Sequence, residues 1–592
     1  MMTEALQEQA SQTRAEPTAV MERLGWQTAT RDDQAVARAL YAGEEIDAIY
    51  ELSEAGLLDE FFVFLEQIGM MEAIEQLKLP NVRRVLVPTV QFVLLYMMKV
   101  LFGIESMNAL PKHLFSHVGL MKLIGFNAIQ IEHGLTKRGD RQRKTKAKQG
   151  PISAQCLANN ICKLTTEQVE TLFNQMVRCV VKAGLLQGEL MVALDGSKLP
   201  TANTYEGCGK LKETKKVRIK GQKEPAIQEI YVYGWKVLVL IDVQTRLPLA
   251  MKGVAIQEYE GRWLVPLLEQ AAANLGSSAQ IGTIVIDRGY LDGEDLWEVH
   301  ERGIIFVVVA KAGMVVAEDA QALAKTQAAT TREQVVTHGH GKQATQQILR
   351  TQLVGISGLT TYDSYGDKEH TAHKNRRDFE GKPINAVVVQ MWNNRAPSED
   401  GVVYLTNGPV EDPFVVFDTY DWRSVIENGI FKEGKHPWHL GEFPQRRQAA
   451  VIVHCHFTLM IMGLCTAYRL WQAKTASEAD ALHQHTLPSP KAPSDGQTAP
   501  HFSAPADLPA GALLGSAAIC PLSSALLAGE GTARWRARLK QENRDHVMVF
   551  VGETYGIFHL AVLSILIGIR LRELPAHVGT KEAILSRYGL SP

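Results

Sequence analysis

Three acidic residues in this 592-residue chain stand where carboxylates could gather divalent cations. Asp195 ends the apolar run Leu190-Met191-Val192-Ala193-Leu194 and is followed by Gly196-Ser197-Lys198. Asp287 ends Ile284-Val285-Ile286 and is followed by Arg288-Gly289-Tyr290. Glu427 closes Tyr420-Asp421-Trp422-Arg423-Ser424-Val425-Ile426, a stretch with helical pattern. Two aspartates at strand ends and a glutamate on a helix can converge on a pair of metal ions, which suits in-line attack at a phosphodiester. A lone carboxylate after a strand is often only a turn residue or helix cap. The second aspartate and the helical glutamate are what lift Asp195 above that reading. Tyr420, Arg423 and Glu427 are spaced i, i+3, i+7, one face of an ideal helix. There Arg423 can bind a phosphate or hold the glutamate in place. The plainer alternative is a surface ion pair worth a few tenths of a kcal/mol, which leaves the matching tyrosine unexplained.

These groups need a scaffold, and the pattern predicts one. Leu190–Asp195, Tyr231–Asp242 and Leu247–Ile256 read as strands, the last two joined by a tight turn around Gln244-Thr245-Arg246. A helix over Arg262–Leu275, a strand over Ile281–Asp287, a helix over Glu294–Arg302 and a strand over Ile304–Ala310 follow. The order βββ-α-β-α-β is that of a ribonuclease-H-like α/β core. In that order the first and fourth strands usually lie side by side, which would bring Asp195 and Asp287 together.

Around this core, at 187–312 and 411–473, the chain divides further. Residues 1–40 are polar and read as a flexible N-terminus. Residues 41–186 read as a helical N-terminal domain, with Leu57, Leu58, Phe61, Phe62 and Leu65 at helical spacing, a helix start at Thr165-Thr166-Glu167, and the basic run 137–148 as the candidate that would make it DNA-binding. Residues 313–410 read as a β-rich insertion, with strand-like Gln347–Val354, Ile384–Trp392 and Val402–Leu405. Residues 474–530, rich in Ala, Pro, Ser and Gly, read as a disordered linker, and 531–592 as a helical C-terminal region. The apolar stretches Val85–Phe102 and Phe550–Ile569 read as buried helices rather than membrane spans.

A chain that is 46% hydrophobic and 21% charged is an ordinary globular protein. A net charge of −2 excludes a uniformly basic DNA coat, so any nucleic-acid surface must be local. Two basic runs offer one: 137–148, with Arg141, Arg143 and Lys144, and 210–220, with Lys212, Lys215 and Lys216. Each weighs phosphate binding against a solvated surface. Seven cysteines without paired CxxC units point to reduced thiols, and the acid-bearing Met1–Pro17 is no secretory signal; a cytoplasmic, nucleoid-associated protein is the expectation. His454-Cys455-His456 sits among Val451, Ile452, Val453 and Phe457, so a packed core outweighs zinc. Trp297 and Trp422 read as core residues more readily than as platforms for flipped bases. Gly207-Cys208-Gly209-Lys210 fails the P-loop pattern.

Taken together, the motifs resemble those of DDE transposases of bacterial insertion sequences, in the IS-four-like branch with a β-rich insertion. That branch carries Tyr-x2-Arg-x3-Glu-x6-Lys, matched in place by Tyr420, Arg423 and Glu427. The lysine position falls on Gly434, and Lys435 comes one residue later, about 100° further round an ideal helix. Asp195-Gly196-Ser197 and Asp287-Arg288-Gly289-Tyr290 match the other two motifs, and Val403–Asn407 resembles the strand before the glutamate segment. The resemblance spans roughly 190–470 and implies catalysis by Asp195, Asp287 and Glu427 on two Mg2+ ions, with Mn2+ able to substitute. It implies double-stranded DNA as partner, both element terminal inverted repeats and target, and a homodimer in the synaptic complex. Tyr420, Arg423, Lys435, Arg288 and Lys198 are then DNA contacts beside the two basic runs. A nuclease without strand transfer and an inactive, domesticated DNA-binding protein are the alternatives.

Overall fold

In the computed structural model, described residues are 30–51, 58–80, 87–126, 150–217, 226–338, 345–362, 381–397, 401–486, 546–552 and 554–568, with isolated positions between. The chain opens on β1 (Thr30–Arg31) and β2 (Ala48–Glu51), either side of a helix, Asp33–Ala42. Asp32 caps that helix, accepting from the Ala35 N–H at 2.8 Å, and Gly43 ends it in the left-handed conformation. This is ordered structure inside the 1–40 segment that the sequence marks as flexible. Its apolar stripe, Val36, Ala37 and Leu40, is short and easily missed in a polar stretch.

The helical region behaves as its periodicity dictates. Thr89–Leu101 is buried almost all round. Thr166–Lys182 starts with a capping box between Thr165 and Gln168, as the sequence signals, and turns Val169, Leu172, Phe173, Met176 and Val177 inward.

The core sheet holds β3 (Gly188–Thr201), β4 (Gly209–Val217), β5 (Ala226–Asp242), β6 (Pro248–Ala255), β7 (Ala279–Ile286), β8 (Ile305–Val309), β9 (Thr330–His338), β10 (Thr345–Leu359), β11 (Ile384–Met391) and β12 (Val402–Thr406). Its order is β4-β5-β3-β7-β8-β12-β11-β10-β9, with β6 also on β5. β3 and β7 are parallel neighbours, with Leu194 opposite Ile286, as the strand order requires. Helices Leu264–Leu275 and Gly293–Glu301 make the crossovers. β5 can serve β4, β3 and β6 at once because it is 17 residues long. Gly234 sits where it passes from one partner set to the next: φ is 152° there, and a Cβ would stand 2.3 Å from the Leu199 carbonyl oxygen.

Three differences from the sequence reading have physical causes. The basic segment after residue 208 is a full edge strand, β4, held by cross-strand pairs such as Lys212 with Glu229 at 2.7 Å. The strands of 313–410, read from the sequence as an insertion, extend the core sheet itself, β12 pairing antiparallel with β8. The C-terminal region is not simply helical. β13 (His546–Val551) and β14 (Thr554–His559) form a hairpin, followed by one short helix, Leu560–Leu566. Val547 and Val549 face the Asp33–Ala42 helix, whereas Met548 joins the main core. That period of two is hidden in a run that is apolar throughout. β1 pairs with β14 and β2 with β13, so both terminal segments share one four-stranded sheet.

Gln448–Thr486 is a single helix that runs into the segment expected to be disordered, while 487–545 lie outside the described residues. Its portion Gln448–Thr475 is long and apolar enough to cross a membrane, yet the most apolar window is 94% buried in the fold. It is a core helix. His454, Cys455 and His456 are buried in it, as their apolar setting predicts.

Candidate active site

The two aspartates are brought together by an uneven strand ending. β3 runs on past Asp195, whereas β7 stops at Ile286 and the chain turns at Arg288–Tyr290 with Asp287 as the residue before the turn. On adjacent strands about 4.8 Å apart, these positions are neighbours. The Asp195 side chain is only 14% exposed. Its Oδ1 accepts the Gly196 N–H at 2.7 Å, and its Oδ2 pairs with Arg423 Nη1 at 3.2 Å. Burial pushes the Asp195 carboxyl up to about 6; the Gly196 N–H and Arg423 oppose this, and Asp287 and Glu260 add to it.

Tyr420 and Arg423 reach this point on a helix that rests on the insertion. Pro413–Asp421 is capped by Asp412 and packs Phe414 and Val416 against Val307, Leu353, Val387 and Tyr404. The Tyr420 ring lies 5.0 Å from that of Tyr404. Burial works against the Arg423 charge, but Tyr420, Asp195, Asp287 and Glu427 outweigh it and hold the guanidinium above its ordinary range. One guanidinium thus senses all three acids of the sequence motif.

The three motif residues do not lie on one α-helix, as their spacing suggests. After Asp421 the N–H groups of Arg423, Val425 and Ile426 bond carbonyls three residues back. From Ile426 to Lys432 the backbone then widens into a π-helix containing Glu427. The wide turn changes the register between Glu427 and Lys435. Eight residues separate Glu427 from Lys435, about 80° out of phase on an α-helix; one residue absorbed by the π turn leaves them about 20° apart. Burial lowers the Lys435 ammonium and Glu427 alone opposes this, placing the two side chains in each other's field. Glu427 itself is exposed.

Among the described residues no three His, Cys, Asp or Glu side chains stand close enough to share one ion. Of the three acids, Asp195 is the one paired with Arg423, at 3.2 Å, and Glu427 is exposed. Arg288 lies near Lys311, a site residue the sequence reading missed; burial and Arg288 depress the Lys311 ammonium, with Asp287 opposing. Also missed were Lys236, Glu260 and the burial of Tyr290. Lys236 Nζ pairs with Glu260 Oε1 at 2.6 Å, and Tyr290 is fully buried with a hydroxyl that finds no hydrogen-bond partner among the described residues. The one sequence hint was the acidic turn Glu258-Tyr259-Glu260 after β6.

Lys198 pairs with Glu213 and Lys212 with Glu229, both at exposed positions beside the site. Lys215 and Lys216 continue along β4 opposite Gln228 and Ile227. Arg141, Arg143 and Lys144 lie outside the described residues. Trp297 packs on Phe379, with Lys382 Nζ 3.2 Å from its ring centre, as a core reading implies. Trp422 departs from that reading: it is 49% exposed, one residue from Arg423.

Residues 187–464 match the family model described as Transposase DDE domain. This supports a DDE transposase, an enzyme class of DNA nuclease and strand transferase. No curated protein matches the chain. A solved structure, the cryo-EM synaptic complex of piggyBac transposase with hairpin DNA, aligns over 76% of this chain and 76% of its own at 8% identity, with a TM-score of 0.34. That likeness is too loose to bear on mechanism.

Proposed function

We propose that the chain is an insertion-sequence transposase of the IS-four-like branch, with a ribonuclease-H-like core, which cuts and rejoins DNA strands at the element's ends. The observation that carries this reading is Asp195 and Asp287 at neighbouring strand ends, with Arg423 paired to Asp195 at 3.2 Å, inside the segment that matches the DDE domain. The residues fit divalent cations. Burial raises Asp195, with smaller additions from Asp287 and Glu260, and a cation there would offset both. Asp195, Asp287 and Glu427 would hold two Mg2+ ions, or Mn2+, which when bound activate the attacking hydroxyl and stabilise the leaving oxygen.

The chain's own groups supply the rest. Arg423 is fixed by Asp195 and stacked near Tyr420, so its remaining donors can receive a phosphate in one orientation. Lys435, Arg288 and Lys311 add positive charge around the carboxylates, where a DNA backbone would need it. The exposed lysines of β4 extend that field along the sheet edge. The substrate is then double-stranded DNA carrying terminal inverted repeats, held as paired ends by a homodimer.

The test is Mg2+-dependent cleavage of DNA bearing the repeats that flank the coding region, followed by a strand-joining assay. Cleavage and joining that both vanish in Asp287→Asn support the proposal. Cleavage without joining would reduce it to a nuclease, and end binding with no cleavage under any divalent metal would overturn it.

A further inference from the structure

β5 changes its neighbours along its length. From Trp235 to Ile241 it lies between β3 and β6, but β6 pairing stops at Trp235 and β3 pairing at Tyr233. Beyond that point Ala226–Val232 pairs with Leu211–Val217 of β4 alone. β4 takes over the edge that β6 leaves, since Tyr233 and Gly234 pair with β3 on one side and β4 on the other. Among the described residues no strand covers either outer edge of this stretch. The sheet therefore ends in a two-stranded antiparallel ribbon, roughly 23 Å long at about 3.3 Å per residue.

An unbroken register fixes the face each side chain takes. Asp195 stands opposite Val239 of β5, and Tyr233 and Tyr231 follow Val239 at even spacing. Both rings therefore lie on the sheet face of the Asp195 side chain. Lys210 and Lys212 stand opposite Tyr233 and Tyr231 and share that face. The side-chain contacts agree with this alternation. Lys210 Nζ lies 3.9 Å from the centre of the Tyr231 ring, and Lys212 pairs with Glu229 at 2.7 Å. Glu213, on the other face, pairs instead with Lys198, which also points away from the Asp195 face.

Tyr231 is 56% exposed, a large ring left in solvent. Lys210 above it has no carboxylate partner among the described residues. Together they offer an apolar plate and a cation, the pair that suits a nucleic-acid base and its phosphate. From Gly209 to Glu229 the sequence carries seven Lys and Arg against three Glu, in a chain whose net charge is −2. That excess favours a polyanion over a second copy of this chain, which would bring the same charge to the contact. The shape fits as well, because the major groove of B-DNA, about 12 Å wide, admits a two-stranded ribbon. Tyr231 lies eight residues along β5 from the position opposite Asp195, about 26 Å, or roughly eight base-pair steps.

We propose that this ribbon enters the major groove of the bound duplex within one helical turn of the phosphate that is cut, with Tyr231 against the base edges and Lys210 on the adjoining backbone. This rests on DNA as the partner in the proposed function and adds a place where the bound end is read.

Dimethyl sulfate footprinting of the full chain on a duplex carrying the flanking repeat, with chelator present to prevent cutting, tests this. The reagent attacks guanine N7, which faces the major groove. Wild type should protect guanines on either strand about six to ten base pairs from the cut. Tyr231→Ala and Lys210→Gln should each lose that protection and weaken binding about tenfold, while protection at the cut itself persists. Lys210→Gln should also lower the salt slope by about one. Gln228→Ala, exposed on the ribbon's other face, should change neither. Full protection in Tyr231→Ala and Lys210→Gln, or equal loss in Gln228→Ala, overturns the ribbon's role and leaves the transposase reading to its cleavage assay. Ribbon-dependent protection on a duplex that is never cut in Mg2+ upholds the ribbon and overturns the transposase reading. A wild-type chain that does not bind the duplex overturns both.

Discussion

Asp195→Asn should make the folded chain more stable while removing its chemistry. The folded environment lifts this carboxyl from 3.8 to about 6. At neutral pH, keeping it ionised therefore costs the fold about 3 kcal/mol. Asparagine removes the charge and retains an oxygen for the Gly196 N–H. The Arg423 attraction is already inside that net figure, but the guanidinium loses its hydrogen-bond partner, which takes back about 1 kcal/mol. A net gain of about 1–2 kcal/mol at pH 7.5 is expected. The sign with pH follows from the raised folded value. Between 3.8 and about 6 the folded wild type binds the proton more tightly than the unfolded chain, so its stability falls as pH rises through that window. The mutant's advantage should be full above the window, reduced at pH 5 and absent near the bottom. Urea unfolding of both proteins with chelator present, at several pH values, measures it. A mutant less stable than wild type at pH 7.5, or a gain that does not change with pH, would refute the electrostatic account of this site.

Asp287→Asn and Glu427→Gln should each abolish cleavage but leave end-DNA binding near wild type in a mobility-shift assay; substantial residual cutting removes that residue from the catalytic set. Lys435→Ala should weaken end-DNA binding and lower its salt slope by about one, whereas Lys432→Ala should not; equal effects would break the register argument drawn from the π turn. Neutralising Lys212, Lys215 and Lys216 together should weaken binding to all sequences and flatten the salt dependence, and an unchanged slope would leave β4 a solvated edge. Acid should destabilise the fold through His454, held near 3 by burial and by Lys99 while Tyr96 donates to its Nδ1 at 2.9 Å and its Nε2 donates to the His439 carbonyl. A depressed folded value means stability lost as pH falls from 6.5 towards 3, and Tyr96→Phe/His454→Leu should flatten that part of the melting curve.

The parts of the site legible in the sequence are those with strong periodicity. The apolar runs before Asp195 and Asp287 could only be buried strands, and their order made them neighbours. The Tyr420, Arg423 and Glu427 spacing was equally plain, but spacing alone assumes an α-helix. The widened backbone at Ile426–Lys432 carries no composition signal, and it decides where Lys435 falls. β4 was hidden because its lysines, Glu213 and Thr214 are polar on both faces, as an edge strand permits. β13 was hidden for the opposite reason, since Val547–Val551 is apolar at every position and shows neither period, and β14 is interrupted by Gly556. Glu260 was illegible because its place depends on a contact across 64 residues of chain with Gly196.

The sheet that joins the two terminal segments also sets a timetable. β2 and its partner β13 are separated by about 500 residues of chain, so during synthesis at about 5–20 residues per second β2 waits roughly half a minute or more for its partner. Through that interval the Val36 and Leu40 face has no hairpin to cover it. The core sheet, whose strands lie between residues 188 and 406, can assemble meanwhile. Closure of this four-stranded sheet therefore follows the synthesis of every strand of the core sheet. The Asp33–Ala42 helix keeps an uncovered apolar face until then.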